Sequence, residues 1–275
     1  MQVSAPAKVN LSLRILGKRA DGFHEIETFI APISLTDTLH FEKQGRWIDF
    51  QCDDPSVPQN DENLVVQAAK KFFESTKSKG GVAIHLAKKI PHGAGLGGGS
   101  SDAASTLIAL NELFSTGLSR AALAGMGAAI GSDVPFFIFE SAAMCRGRGE
   151  SISPEPMKEQ LPLVLVKPEF GVPTLWAYSK WQESREIPEV QYASQKFAGY
   201  SFGNDLERPV LQKFVFLATI KTWLLKQPEV GAALMSGSGS TVFAVLKKSA
   251  DASGLAERAR KELDPKLWTC AARTL

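Results

Sequence analysis

The sequence predicts an α+β protein in two domains, from the spacing of apolar residues in three places. Near the start, Val9, Leu11, Leu13 and Ile15 alternate with Lys8, Asn10, Ser12 and Arg14, the period of two that marks a half-buried strand. In the middle, a second alternating run, Val82, Ile84 and Leu86, passes through a glycine-dense stretch into Ala103, Ala104, Leu107, Ile108, Leu110 and Phe114, which recur at helical spacing. Past residue 160, strand-like runs at 161–167, 242–246 and 268–274 alternate with helical runs, a β-α-α-β-α-β order with no internal repeat.

Taken in order, the opening strand places Lys8 and Asn10 on one face, about 7 Å apart. A turn at Asp21-Gly22 leads into a strand beginning near Phe23, so Phe23 and His24 stand at a loop-strand junction. Residues 36–50 read as further strand, and 53–61 as a polar loop. Asn63 opens an amphipathic helix, 64–73. Ser119 caps a helix at 120–130 closed by Gly131, and Val134 to Phe139 reads as a strand with Asp133 at its junction. Residues 145–150 form a glycine-rich turn and 153–156 a proline-bearing connector, so the domains are set at 1–152 and 153–275. Thr174 begins a helical run to Trp181; 183–195 is charged, low in periodicity and reads as mobile surface. Asn204-Asp-Leu-Glu207 precedes a helix to Lys226, and a second glycine loop, Met235-Ser-Gly-Ser-Gly-Ser-Thr241, feeds the strand at 242–246.

With 275 residues, 44% of them apolar, the chain suits one large or two modest domains. A net charge of +2, with no long basic run, argues against a nucleic-acid partner. The three cysteines are far apart and odd in number, with no histidine at metal spacing, so no metal site is expected and a reduced, cytoplasmic setting fits. Met1 to Asn10 lacks the apolar core of a signal peptide, and no run of about 18 apolar residues exists, so no membrane association is expected.

The chemistry centres on Pro91-His-Gly-Ala-Gly-Leu-Gly-Gly-Gly-Ser-Ser101, with five glycines between 93 and 99. It lies between a strand and a helix, with Ser100 or Ser101 expected at the N-cap and Asp102 in the first turn. A helix start offers unpaired N–H groups and a partial positive charge, and glycines let backbone close around an anion, so the stretch reads as a phosphate cradle. Gly93, Gly95 and Gly98 satisfy G-x-G-x-x-G, yet no second strand ending in an acidic residue follows, as a dinucleotide fold requires. Nor is there the G-K-[ST] of a Walker loop. Read singly, Lys8 is an outer-face lysine, His24 a surface or packed histidine, and Asp133 a turn aspartate.

Assembled, these residues resemble the GHMP small-molecule kinases. The resemblance rests on A-P-A-K-V-N-L-S-L (5–13), R-A-D-G-F-H-E-I-E-T (19–28), P-H-G-A-G-L-G-G-G-S-S-D-A-A (91–104), G-S-D-V-P-F-F (131–137), N-D-L-E (204–207) and M-S-G-S-G-S-T (235–241). It implies an N-terminal ribosomal-S5-like ATP-binding domain and a C-terminal ferredoxin-like α/β domain, with the active site in the cleft between them. It implies ATP, with Mg2+ bridging its phosphates, as phosphoryl donor. The D-G-F-H-E and N-D-L-E stretches imply a cytidylyl-linked methylerythritol as acceptor, on the non-mevalonate route to isoprenoid precursors; a homoserine, mevalonate or sugar kinase, or a non-catalytic nucleotide binder, are the alternatives. By position Asp133 matches the catalytic aspartate and Lys8 the active-site lysine. Gly93 to Ser101, through Ala94, Gly95, Leu96, Gly97, Gly98, Gly99 and Ser100, with Pro91 and His92, match the phosphate site; Asn63 and Lys88 match positions near the adenosine. Phe23 and His24 match the cytosine site, and Asn10, Thr174 and Tyr178 other substrate positions. Phe23 stands where relatives often carry Tyr, and Ile30 where some carry an aromatic. Arg146 and Arg148 receive no role, and 183–197 matches nothing in the family. A monomer or weak homodimer is expected.

Overall fold

The computed structural model describes residues 1–248 and 250–275. The longest elements are the first two strands, β1 (Gln2–Lys18) and β2 (His24–Gln44), paired antiparallel with three register shifts. β1 is long because its alternation extends back from Val9 through Ala7 to Ala5, both buried. Its polar face is also covered: Lys8 and Asn10 are 4% and 3% exposed.

β3 (Ile48–Cys52), α1 (Leu64–Thr76), β4 (Gly81–Ala87), α2 (Gly98–Leu113), α3 (Arg120–Ala128), α4 (Val134–Ile138), β5 (Ala143–Gly147) and β6 (Ser151–Pro154) complete the first half. The second half runs β7 (Pro162–Lys167), α5 (Thr174–Lys180), β8 (Gln195–Phe197), β9 (Tyr200–Asn204), α6 (Glu207–Lys213), α7 (Val215–Leu225), β10 (Val230–Met235), β11 (Val242–Leu246), α8 (Ala252–Glu262) and β12 (Trp268–Arg273).

An eight-stranded sheet contains the path β3-β4-β2-β1-β9-β8, with β5 on β2 and β6 on β5; a four-stranded sheet runs β10-β11-β7-β12. One core lies between α1–α4 and the large sheet, built on Phe72, Leu107, Leu110 and Phe136. A second lies between α6–α8 and the small sheet. The third joins the two sheets: Val9 and Leu11 of β1 pack with Leu163, Leu165 and Phe243. The apolar face of β1 is therefore the seam between the halves, and its polar face looks toward the glycine-rich stretch.

The structure corrects several expectations. Val134 to Phe139 is not a strand: Val134–Ile138 is a short helix with Pro135 in its first turn, and all five of its residues are buried. An all-apolar run has no period to separate strand from helix. The N-cap of α2 is Gly97, in the left-handed region at φ +70°, with no side-chain cap bond; Ser100 and Ser101 lie inside the helix. α3 ends at Ala128, before Gly131. Residues 145–150 are not simply a turn, because Cys145 to Gly147 belong to the β5–β6 hairpin. The helix expected up to Lys226 is broken at Phe214 (φ −105°, ψ 68°) into α6 and α7.

Residues 183–194 are irregular but not loose, since Lys221 Nζ donates to the Gln191 carbonyl and the Gln195 amide exchanges bonds of 2.9 and 3.0 Å with the Ala233 backbone. The unanticipated β8 and β9 lie past residue 153 yet extend the large sheet, β9 pairing in parallel with β1 at Leu13–Asn204.

Candidate active site

β1 delivers Lys8 and Asn10, and their shared face brings Lys8 Nζ to 2.6 Å from Asn10 Oδ1. Asn10 Nδ2 donates to Thr28 Oγ1 on β2 at 2.9 Å, and Thr28 Oγ1 donates to the Ser12 carbonyl at 2.6 Å, which fixes the amide with its oxygen toward the lysine. Asp133 caps α4 by its backbone alone, leaving its side chain 41% exposed, and Asp133 Oδ2 stands 3.7 Å from Lys8 Nζ.

These groups line a cavity of about 680 Å³ together with Phe23, His24, Thr174 and Tyr178. His24 and Tyr178 lie with ring centroids 5.4 Å apart. Burial, and then the charge of Lys18, holds the His24 imidazole below its ordinary pKa, so it is neutral near pH 7. Burial, reinforced by the charge of Asp133, pushes the Tyr178 phenol up, so it keeps its proton. Thr174 Oγ1 is 2.9 Å from Ser238 Oγ of the second glycine loop.

A smaller cavity of about 270 Å³ meets the first at Gly95 and Gly97 and is lined by Asn63, Lys88 and every residue from Pro91 to Ser100. Ser101 does not line it, and its Oγ is buried without a hydrogen-bond partner among the described residues. At Gly97 a Cβ would come within 3.0 Å of Lys8 Cγ and Phe137 Cζ; at Gly98, within 2.9 Å of Ile90 Cγ2. Only glycine lets the backbone pass this close while the unpaired N–H groups at the start of α2 face the cavity. That arrangement suits a phosphate chain.

Asn63 and Lys88 border the smaller cavity but spend their polar atoms inward. Asn63 Oδ1 caps α1 by accepting from Val65 N at 2.9 Å, and its Nδ2 donates to the Pro58 carbonyl at 2.6 Å. Lys88 Nζ is ion-paired with Asp37 and, at 2.8 Å, with Asp102. Against the lowering effect of burial, these two carboxylates hold the Lys88 ammonium above its ordinary value. Burial, opposed by Lys88 and reinforced by the charge of Asp37, raises Asp102 to about 7.

Residue-by-residue reading left out part of the cavity wall. Gly237 and Ser238 line it, although the run from Met235 to Thr241 was visible as a glycine loop. Arg148 also lines it, its guanidinium 4.8 Å above the half-exposed Phe23 ring, whereas Arg146 points outward to Glu27 at 3.0 Å. Nothing local in Arg-Gly-Arg separates the two. The hairpin does, once it is known: Arg146 is the last residue of β5 paired with β6, and Arg148 falls in the turn past Gly147, whose left-handed backbone (φ +75°) ends the strand.

A glycine cradle at a helix start, opening onto a carboxylate paired with a buried ammonium, defines a small-molecule phosphotransferase. Comparison with known proteins gives the same class. Residues 63–141 match the GHMP kinases N terminal domain and 197–264 the GHMP kinases C terminal domain. The 4-diphosphocytidyl-2-C-methyl-D-erythritol kinase of Methylacidiphilum infernorum is 39% identical over 96% of this chain and 93% of its own length. The enzyme of the same name from Moorella thermoacetica is 40% identical over 94% of each. A crystal structure of 4-(cytidine 5'-diphospho)-2C-methyl-D-erythritol kinase superposes over 100% of this chain and 99% of its own, with a TM-score of 0.82 at 34% identity. The chain belongs to the 4-diphosphocytidyl-2-C-methyl-D-erythritol kinase family of the GHMP kinases.

Proposed function

We propose that this protein transfers the γ-phosphoryl group of ATP to the 2-hydroxyl of 4-diphosphocytidyl-2-C-methyl-D-erythritol, in non-mevalonate isoprenoid precursor synthesis. The observation that carries this is one cavity holding the Phe23–His24 pair and the Lys8–Asp133 pair, with the glycine cradle adjoining it.

Phosphoryl transfer depends chiefly on alignment and on stabilising charge. Asp133 is the exposed carboxylate of the Lys8 pair, and it takes the proton of the acceptor hydroxyl as the bond to phosphorus forms. Lys8, its ammonium aimed by Asn10, sets a positive charge beside that carboxylate and offsets charge on the moving phosphoryl group. Gly93 to Ser100, with the N-terminus of α2, hold the donor's phosphates. Phe23 offers a ring face and neutral His24 a hydrogen bond to the cytosine, and Thr174 and Tyr178 face the rest of the acceptor.

Among the described residues no group of three or more His, Cys, Asp or Glu side chains is placed to hold a metal ion. Were Mg2+ to accompany the nucleotide, Ser100 on the wall of the smaller cavity would offer it a hydroxyl, and its charge would neutralise that of the phosphates.

An ADP-release assay with ATP and Mg2+ tests the reading on four acceptors: the cytidylyl substrate, homoserine, mevalonate and galactose. Turnover confined to the first is expected. Turnover on another alcohol would discard the acceptor, and silence on all four would discard the kinase.

A further inference from the structure

Behind the cavity lies a buried polar chain that the chemistry above does not use. Asn204, at the end of β9, donates through Nδ2 to the carbonyls of Met235 at 2.8 Å and Gly237 at 2.7 Å, and accepts through Oδ1 from Leu206 N at 2.9 Å. Glu207, opening α6, accepts from Met235 N through Oε1 at 2.9 Å and pairs through Oε2 with Lys221 Nζ of α7 at 2.6 Å. Asn204, Glu207 and Lys221 are 6%, 1% and 1% exposed. Both ends of the N-D-L-E stretch thus grip one segment, the start of the second glycine loop.

That loop touches the phosphate cradle, Lys8 and Thr174. Ser236 Oγ donates to the Gly95 carbonyl at 2.9 Å, and Thr241 N to the Ala94 carbonyl at 3.1 Å, which ties the loop to the phosphate cradle. A Cβ on Gly95 would fall 2.3 Å from the Ser236 carbonyl oxygen, and one on Gly237 would fall 3.3 Å from Lys8 Nζ. Ser238 meets Thr174. Packed this closely, the loop cannot shift without moving Gly95, Lys8 or Thr174.

A buried carboxylate–ammonium pair is weak evidence of a stabilising role, because an apolar pair of the same shape often serves as well. The hydrogen bond from Met235 N–H is what an apolar pair would not supply. We propose that Asn204 and Glu207, with Lys221 as counter-ion, are positioning residues for phosphoryl transfer: they hold the second glycine loop so that the phosphate cradle and the acceptor cavity stay in register at Lys8. The proposal rests on the kinase reading above.

Two double variants separate positioning from charge and from stability. Glu207→Gln/Lys221→Met removes both buried charges and keeps an acceptor for Met235 N–H. Glu207→Leu/Lys221→Met removes the same charges and the acceptor. The first is expected to keep kcat within about threefold. The second is expected to lose on the order of tenfold to a hundredfold in kcat with ATP affinity kept, as a misplaced reacting group does. The acid limb of its kcat–pH profile should also move, because the surroundings of Lys8 and Asp133 change; a smaller folded fraction would only scale that profile. Hydrogen exchange across residues 235–241 should rise in the second pair alone.

Equal kcat in the two pairs, or a loss in the second with unmoved pH limbs and unchanged exchange at 235–241, would overturn the proposal. Should the second pair not fold, Asn204→Asp takes its place: it keeps the shape and the bond from Leu206 N but cannot donate to Met235 or Gly237, and the same readouts apply. A wild-type protein silent on the cytidylyl substrate would remove the kinase reading, while exchange at 235–241 would still decide whether these residues hold the loop.

Discussion

Lys8 Nζ stands 3.7 Å from Asp133 Oδ2, with the lysine side chain 5% exposed and the aspartate 41%. The cation is sealed behind the carboxylate and the carboxylate is open to the cavity. That asymmetry suits a group that must meet the acceptor hydroxyl and a partner that need only hold its charge.

Asp133→Asn keeps the shape and removes the base. Its kcat is expected to fall by about a hundredfold or more, with ATP affinity changed little. Steady-state turnover beside a nucleotide titration checks this, and near-normal turnover would exclude the role.

Gly97 and Gly93 share a left-handed backbone, φ +70° and +63°, but not their surroundings: a Cβ at 97 meets Lys8 and Phe137 at 3.0 Å, while at 93 it meets none of the described residues within 4 Å. Gly93→Ala should cost only the backbone strain, roughly 1–2 kcal/mol in stability. Gly97→Ala should lower kcat as well, because the added methyl pushes on Lys8. Thermal melts and turnover of the two variants side by side would show whether that contact matters.

Lys88 separates a nucleotide contact from a structural one. Lys88→Met would leave Asp37 and Asp102 buried without their cation, at a cost of about 3–5 kcal/mol in stability. The sign of its pH dependence follows from Asp102, whose folded pKa of about 7 lies above its unfolded value. The folded state then binds more protons than the unfolded one, so stability is lost as pH rises toward 7 and recovered on acidification, more steeply in the variant. Melts between pH 5 and 8 measure this; unchanged stability with weakened ATP binding would assign Lys88 to the nucleotide instead.

His24 is held neutral at pH 7, its pKa lowered first by burial. His24→Ala is expected to raise KM for the cytidylyl substrate by about tenfold, the worth of roughly one buried hydrogen bond, and to leave KM for ATP nearly unchanged. Equal effects on both would place His24 outside the base pocket.

Much of this molecule is legible locally. The alternation of β1 foretells that Lys8 and Asn10 share a face, Asn63 announces the start of α1, and the glycine run between strand and helix announces an anion site. The errors fall where local signals are silent. Val134 to Ile138 has no period to read, and contacts with α2 and α3 make it a helix. Tyr200 to Asn204 is too short to declare itself; it is a strand because β1 offers it an edge. Nor does anything local show that Asp37, 51 residues earlier, closes over Lys88.

Local sequence suffices to show that one strand carries Lys8 and Asn10 and that a glycine cradle leads into α2, because side-chain period and glycine freedom act over a few residues. The tertiary structure alone decided that Lys8 meets an aspartate 125 positions away, that two glycine loops interlock at Gly95 and Ser236, and that Arg148 rather than Arg146 reaches the cavity. Such contacts depend on how sheets and helices bury their apolar faces against one another, and no local pattern encodes that.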